Sequence, residues 1–214
     1  MLIRLLKTFF ALMLLSISLS AVSEELNTER KRTWYSVEYI VFKTNTANGQ
    51  TKEPWSKEPF SLPETAISLK AVKPSNRIKR LTAKQLQLHG AYNRLNRLAL
   101  YTPIKHAGWL QELNEKDTIR PIHVLKNFGS GALDGTITFR RGRFLHIDLD
   151  LQLNEHGHIV GQSPISNFEE PTPASLYRLK QTRRIKTGDL HYFDHPKFGV
   201  MVKVKKIDAP TKRP

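Results

Sequence analysis

The stretch TITFRRGRFLHIDLDLQL, residues 136–153, alternates apolar and polar side chains on both sides of the tripeptide Arg141-Gly142-Arg143. Alternation with period two is typical of half-buried antiparallel strands. A two-residue turn at Arg141-Gly142 would mix the two faces, whereas a three-residue loop pairs Phe139 with Leu145 and keeps each face uniform. The stretch therefore predicts a β-hairpin with a three-residue loop, and it favours a fold built on antiparallel strands.

The segments around this hairpin contain the other predicted strands. Residues 33–43, TWYSVEYIVFK, place aromatic and β-branched side chains on both faces, which predicts a central strand covered on both sides. Period and composition predict further strands at 104–112, 122–125, 175–186 and 198–206.

One principal helix is predicted over residues 82–99. Thr82 and Gln85 form a capping box, and an apolar stripe follows at helical spacing. Proline-rich segments without a clear period are predicted to be long loops at 44–80 and 154–174, with a turn-rich link at 187–197. Since strands and helices do not alternate along the chain, we predict an α+β fold, a mainly antiparallel β-sheet with one amphipathic helix and long Pro-rich loops.

The two ends of the chain differ from this domain. Residues 1–23 combine basic residues, an apolar run and small residues, which is the layout of a cleaved secretory signal peptide. The polar residues 24–32 are predicted to be a flexible lead-in, and 208–214 a disordered tail. We therefore expect a single domain over 33–207 that is exported, with no membrane span after signal cleavage.

The net charge and the absence of cysteine indicate which classes of site and of binding partner to expect. The chain has 214 residues, a formal net charge of +15 and no cysteine. The absence of cysteine excludes disulfides, thiolate metal sites and a cysteine nucleophile. Removal of residues 1–23 would leave a charge of +13. A basic exported protein first suggests an anionic polymer of the cell envelope or a lipid head group as its partner, rather than a nucleic acid, and we expect no cofactor.

The densest group of cations lies in the predicted strand 175–186. Arg183, Arg184 and Lys186, together with the ring of Trp109, form a candidate surface for an anionic, sugar-containing polymer. Guanidinium groups bind carboxylates bidentately, and aromatic faces stack on sugar rings. The same charges would also fit a solvated sheet face in a protein that is basic throughout, so the sequence leaves both interpretations open.

A second candidate group consists of His191, Asp194 and His195. Two imidazoles and a carboxylate can hold a divalent metal, and the alternative function is then a metal-dependent envelope hydrolase. The same residues precede Pro196 and also favour a structural turn, with Asp bonding the backbone. We include all three in the candidate ligand-binding set and assign no metal to them.

A third group, His146, Asp148 and Asp150, occupies one face of the predicted hairpin. These side chains could ligate a metal or act as an acid–base pair. We interpret them as the solvated face of an antiparallel strand, with Arg140 as a nearby counter-charge.

Four stretches carry a family resemblance: WYSVEYIVF at 34–42, EPW at 53–55, IKHAGWLQ at 104–111 and RRIKTGDLHYFDHPKFGV at 183–200. Together they resemble the CsiV family of exported cell-wall proteins of gammaproteobacteria, and the last stretch is the most specific. The chain departs from the family's pattern at Gly188-Asp189 and at Ile185, where Met is more frequent. These departures leave the role of that segment open.

The resemblance implies a periplasmic, non-enzymatic protein that binds peptidoglycan. It also implies that the protein supports peptidoglycan assembly by a class A penicillin-binding protein, together with the outer-membrane lipoprotein activator of that synthase. The resemblance brings no catalytic residues with it. A further interpretation stays open, in which the chain is a structural partner of wall-synthesis proteins and binds the polymer by charge alone.

Overall fold

The structure is a computed structural model that describes residues 32–45, 58–72, 77–114, 118–129, 131–155 and 176–210. The predicted signal peptide, nearly all of the lead-in, most of the 154–174 loop and the end of the tail lie outside the described residues, as does the Glu53-Pro54-Trp55 piece.

The described residues contain eleven strands and one α-helix. In chain order they are β1 (Thr33–Thr44), β2 (Ile67–Ser68), β3 (Ile78–Arg80), α1 (His89–Arg97), β4 (Tyr101–Leu113), β5 (Ile122–His123), β6 (Lys126–Phe128), β7 (Gly131–Arg141), β8 (Leu145–Asn154), β9 (Leu176–Ile185), β10 (Leu190–His195) and β11 (Phe198–Ile207). Within the described ranges no helical segment qualifies as a membrane span.

The strands form two sheets that share one apolar core. The first sheet has the order β10-β11-β1-β4-β3, and the second has the order β2-β5-β7-β8-β9 with β6 paired to β7. Among these described strands only the β2–β5 pair is parallel. Tyr39 and Trp109 of the first sheet pack in the same core as Phe139 and Leu151 of the second. The predicted mainly antiparallel sheet with one helix is confirmed.

Strand β1 is covered on both faces, as its sequence predicts. Val37 and Tyr39 belong to the core between the two sheets. Ile40 and Phe42, on the opposite face, pack with Leu88 and Leu95 of the helical segment. Burial on both faces explains why this strand has apolar residues at nearly every position.

The β7–β8 hairpin confirms the predicted three-residue loop length, but the predicted pairing is wrong. The loop lies one residue later, at 142–144, and Phe139 pairs with Ile147 rather than with Leu145. The Gly142 N–H donates to the Phe144 carbonyl at 3.0 Å and closes the loop. A register shift of two residues preserves the alternation, so the predicted faces are retained.

The predicted helix over 82–99 is wrong in extent. The capping box of Thr82 and Gln85 is present, but it caps only a short 3₁₀ turn at Ala83–Gln85. The chain is extended at Leu86, and α1 begins only at His89. The carboxylate of Glu38 in β1 accepts the N–H groups that precede α1, a contact that the local sequence does not encode.

Two segments predicted to lack regular structure contain strands. The 44–80 segment contributes β2 and β3, which add edges to the two sheets. The 187–197 segment contains β10, which pairs with β11 across a two-residue turn at Pro196-Lys197. The alternation of a strand is visible here, because Phe193 and His195 are buried while Asp194 between them is exposed.

Candidate functional site

The predicted basic strand is β9. The alternation of its side chains places the candidate residues on different faces of the sheet. Arg184 is exposed, whereas Arg183 is half-buried and Ile185 is in the core. Lys186 follows the strand and is exposed. Another cation of the strand, Arg178, is only 8% exposed and donates two hydrogen bonds to Asp150, at 2.7 and 2.8 Å. The cations of this segment therefore do not form one continuous binding face.

Arg183 makes its contacts within the protein. Its Nη1 donates to the Tyr192 carbonyl at 2.6 Å, and its guanidinium lies 4.9 Å from the ring centroid of Phe193. Because β9 belongs to one sheet and β10 to the other, these contacts tie the two edge strands together. We therefore separate Arg183 from the ligand-contacting candidates.

Arg184 contributes to a different surface, which we call the arginine–phenylalanine surface and define as Arg143, Phe144 and Arg184. Phe144 is 37% exposed in the hairpin loop. The guanidinium carbon of Arg184 lies 3.3 Å from its ring centroid, and that of Arg143 lies 5.4 Å away. Such stacking holds a guanidinium in place while its N–H groups stay available for an anion.

The outer face of the second sheet supports this surface. His146, the cross-strand partner of Arg184, places its Nδ1 at 3.1 Å from the Phe144 carbonyl. Behind it, Arg140 donates to both oxygens of Asp148, at 2.6 and 3.2 Å, and this hydrogen bonding raises the pKa of Arg140. The interpretation of Arg140 as the counter-charge of this face is confirmed. Because Asp148 is bonded to Arg140, Arg140 offsets the negative charge of Asp148, which therefore does little to neutralise Arg143 and Arg184.

The His191, Asp194 and His195 group does not converge. Asp194 is exposed and accepts a hydrogen bond from the Tyr192 hydroxyl at 2.8 Å, whereas His195 on the opposite face of β10 is 2% exposed. His191 is half-buried, and its Nε2 lies 3.0 Å from the Lys186 carbonyl. The part of the chain that the structure describes contains no group of three or more His, Cys, Asp or Glu side chains placed to hold a metal ion.

His195 packs in the protein interior. Burial lowers the pKa of His195 to about 4, against a smaller opposing effect of Asp194. Its Nδ1 accepts the N–H of Lys197 at 3.1 Å, so the imidazole holds the turn that follows. The predicted turn is therefore present one residue later than expected, and the assignment of His195 as a ligand-contacting residue is wrong.

Trp109 is also misassigned as a ligand-contacting residue. Its side chain is fully buried, with a relative exposure of 0%. The indole N–H donates to Gln111 Oε1 at 2.8 Å, and Gln111 in turn donates to the Phe139 carbonyl at 3.2 Å. This chain of hydrogen bonds joins the two sheets through the core, because Phe139 belongs to the second sheet.

Arg143 and Phe144 are not among the candidates predicted from the sequence. A signal for them exists in the quoted hairpin, where Phe144 directly follows a run of arginines and has the parity of the polar residues His146, Asp148 and Asp150. A signal for Arg183 exists too, because it has the same parity as the apolar residues Leu179 and Ile185 and therefore faces inward.

Comparison with known proteins adds one finding to this geometry. The family model described as "Peptidoglycan-binding protein, CsiV" matches residues 9–207. No curated protein and no solved structure matches the chain.

Proposed function

The chain belongs to the CsiV family of peptidoglycan-binding proteins, and from this premise we propose that it acts in the periplasm as a non-enzymatic protein that binds peptidoglycan through the arginine–phenylalanine surface. It thereby supports peptidoglycan assembly by a class A penicillin-binding protein that works with an outer-membrane lipoprotein activator. The observation that carries the choice of surface is the partly exposed ring of Phe144 with two guanidinium groups stacked on it.

The chemistry of this surface matches the polymer better than net charge does. Peptidoglycan carries peptide carboxylates on a glycan backbone, so a protein with a formal charge of +15 is attracted to it. Salt screens that attraction beyond a Debye length of about 8 Å. Close recognition therefore needs groups that touch the polymer, and Arg143 and Arg184 can bind carboxylates while the exposed part of the Phe144 ring packs against the glycan.

Support of a synthase follows from tethering. A protein that holds the polymer and the synthase together raises the effective concentration of each for the other without any reaction of its own. This role needs two surfaces, one for peptidoglycan and another for the protein partners. We propose that the arginine–phenylalanine surface serves the polymer, which leaves other faces of the protein for the synthase and its activator.

Sedimentation with purified sacculi at about 0.15 M salt tests the polymer contact, because close contacts persist at this ionic strength. The double variant Arg143→Ala/Arg184→Ala and the single variant Phe144→Ala should each bind several-fold less. The matched control is Arg94→Ala/Arg97→Ala, which removes the same charge from exposed positions of α1. Equal losses in the control and the test variant would show that charge alone carries binding and would refute the proposed surface.

Pull-down with the synthase tests the second half of the proposal. The Arg143→Ala/Arg184→Ala variant should keep its interaction with the synthase and its lipoprotein activator while it loses sacculus binding. Loss of both interactions together would contradict the separation of the two surfaces.

Export is tested on protein recovered from the periplasm, whose first residue should be Glu24 if residues 1–23 are removed.

A further inference from the structure

A cavity of about 200 Å³ lies between the first and second sheets. Its walls come from β1, β4 and β3 of the first sheet and from the β2 and β5 region of the second. Pockets for drug-sized ligands typically have volumes of about 300–1,000 Å³. This cavity is smaller, so it is too small for a disaccharide but suits one compact chemical group.

The cavity brings together three cations from three separate segments. Lys105 is half-buried, whereas Lys70 and Arg80 are exposed. The Lys105 ammonium donates one hydrogen bond to the Leu125 carbonyl at 2.7 Å, which fixes it and leaves its other N–H groups available. Burial, reinforced by Lys70, Lys126 and Arg80, lowers the pKa of Lys105 to about 8. A bound anion would offset this repulsion.

A buried hydroxyl completes the lining. Tyr39 lines the cavity from β1 and is 0% exposed, and its hydroxyl has no hydrogen-bond partner among the described residues. A buried polar group without a partner costs about 1–3 kcal/mol, and such groups are rare in native proteins. The wall of the cavity therefore contains a buried residue whose hydroxyl is not hydrogen-bonded within the described residues.

The protein itself does not neutralise this site in the described part of the chain. No Asp or Glu is among the residues that line the cavity. The two histidines in its wall already have carboxylate partners, since His106 bonds Glu38 and His123 bonds Asp134, both at 2.7 Å. The cations and the Tyr39 hydroxyl thus form a site for an external anion.

We propose that this cavity binds the carboxylate end of a peptidoglycan peptide, with Lys105 and Tyr39 as the inner contacts and Lys70 and Arg80 at the entrance. This inference rests on the proposed function, because peptidoglycan presents its negative charge as peptide carboxylates. The cavity is a second subsite, distinct in its residues from the arginine–phenylalanine surface. The cavity then receives the end of one peptide, while the arginine–phenylalanine surface contacts the glycan and carboxylates elsewhere on the polymer.

Calorimetric titration of the full chain with acetyl-D-alanyl-D-alanine tests the site directly. The wild-type protein should bind this acid, and it should bind the corresponding C-terminal amide at least about tenfold more weakly, because a hydrogen bond to a charged group is lost. Equal binding of acid and amide would overturn the proposal, as would tighter binding of inorganic phosphate than of the acid.

Two variants identify the residues. Tyr39→Phe removes only the hydroxyl, so it should weaken binding of the acid about tenfold while the thermal midpoint stays equal or rises. Lys105→Met should also weaken binding, whereas Lys180→Met, a control at an exposed lysine of β9 that does not line the cavity, should not. Wild-type affinity in Tyr39→Phe would refute the site.

The two proposals fail separately. The Arg143→Ala/Arg184→Ala variant should bind the acid like wild type while it loses sacculus binding. If the acid does not bind but sacculus binding still depends on Arg143 and Arg184, the cavity proposal is wrong and the proposed function stands. If the acid binds with the expected dependence on Tyr39 but sacculi do not bind, the proposed surface is wrong.

Discussion

Replacement of Glu38 by glutamine should destabilise the protein, because this carboxylate joins the helix to the central strand. Glu38 is 4% exposed in β1. It accepts hydrogen bonds from the N–H of Gln87 at 2.9 Å, from the N–H of Leu88 at 2.7 Å and from His106 Nε2 at 2.7 Å. The N-cap residue Leu88 has no side-chain cap hydrogen bond, and Glu38 instead fixes the two residues that precede the helix from another element.

The expected loss follows from these contacts. Hydrogen bonds to charged groups contribute about 1.5–3 kcal/mol each. The amide oxygen of glutamine can still accept some of these bonds, but its NH2 group then faces an N–H donor that the carboxylate had satisfied. Glu38→Gln should therefore lower the free energy of unfolding by about 3 kcal/mol. For a domain of this size that corresponds to a fall in thermal midpoint of roughly 6–12 °C.

Urea unfolding followed by far-UV circular dichroism measures this change. Glu64→Gln, at an exposed position, serves as the control and should stay within about 0.5 kcal/mol of wild type. Burial opposes ionisation of Glu38, but the bonds from His106, Leu88 and Gln87 outweigh it and lower its pKa. The stabilisation is thus present above the unfolded-state pKa and is lost as pH falls through the folded-state pKa. A Glu38→Gln variant as stable as the control would refute this reasoning.

Three further changes test the fold and its edges. Gly135→Ala should cost about 3 kcal/mol or more, because φ is +147° and the added Cβ would meet the Asp150 carbonyl oxygen at 2.2 Å, whereas Gly142→Ala in open space should be close to neutral by urea unfolding. Arg183→Ala should lose about 2 kcal/mol and Arg184→Ala less than about 0.5 kcal/mol in the same assay, since only Arg183 bonds the Tyr192 carbonyl. The lowered pKa of His195, about 4 when folded, means that stability is complete above pH 6.5 and falls by about 3 kcal/mol toward pH 4. His195→Gln should lack that acid-dependent loss in urea titrations at several pH values, and an unchanged pH profile would contradict the assignment.

The sequence predicts best what depends on local periodicity. The two faces of β7 and β8 follow from alternation alone, because successive side chains of a strand point to opposite sides of the sheet. The pairing of Phe139 with Ile147 depends on where the chain turns, and the loop at 142–144 brings Phe144 against Arg184 of another strand. Periodicity does not contain such a contact.

The extent of the helix also depends on a residue that is distant in the sequence. The apolar stripe and the capping box are real features of the sequence, but the carboxylate that fixes the start of α1 comes from Glu38, which lies 49 and 50 residues from the two backbone donors. Likewise, Trp109 belongs to a stretch of aromatic and polar residues that fits either a core or a surface. Only the position of β4 between β1 and β3 decides for the core.

Charge distribution rather than total charge determines where this protein can bind an anion. Asp148 and Asp150 bond Arg140 and Arg178, so the outer face of the second sheet offsets many of its own cations. Arg143 and Arg184 stack on an exposed ring instead, and Lys70, Arg80 and Lys105 line a cavity that has no carboxylate in its described lining. The formal charge of +15 therefore attracts the protein to any polyanion at long range, and within the described residues these two places add cations held on a shaped surface. Because screening weakens the diffuse attraction first, a rise in salt should reduce the binding of a featureless polyanion more steeply than that of sacculi.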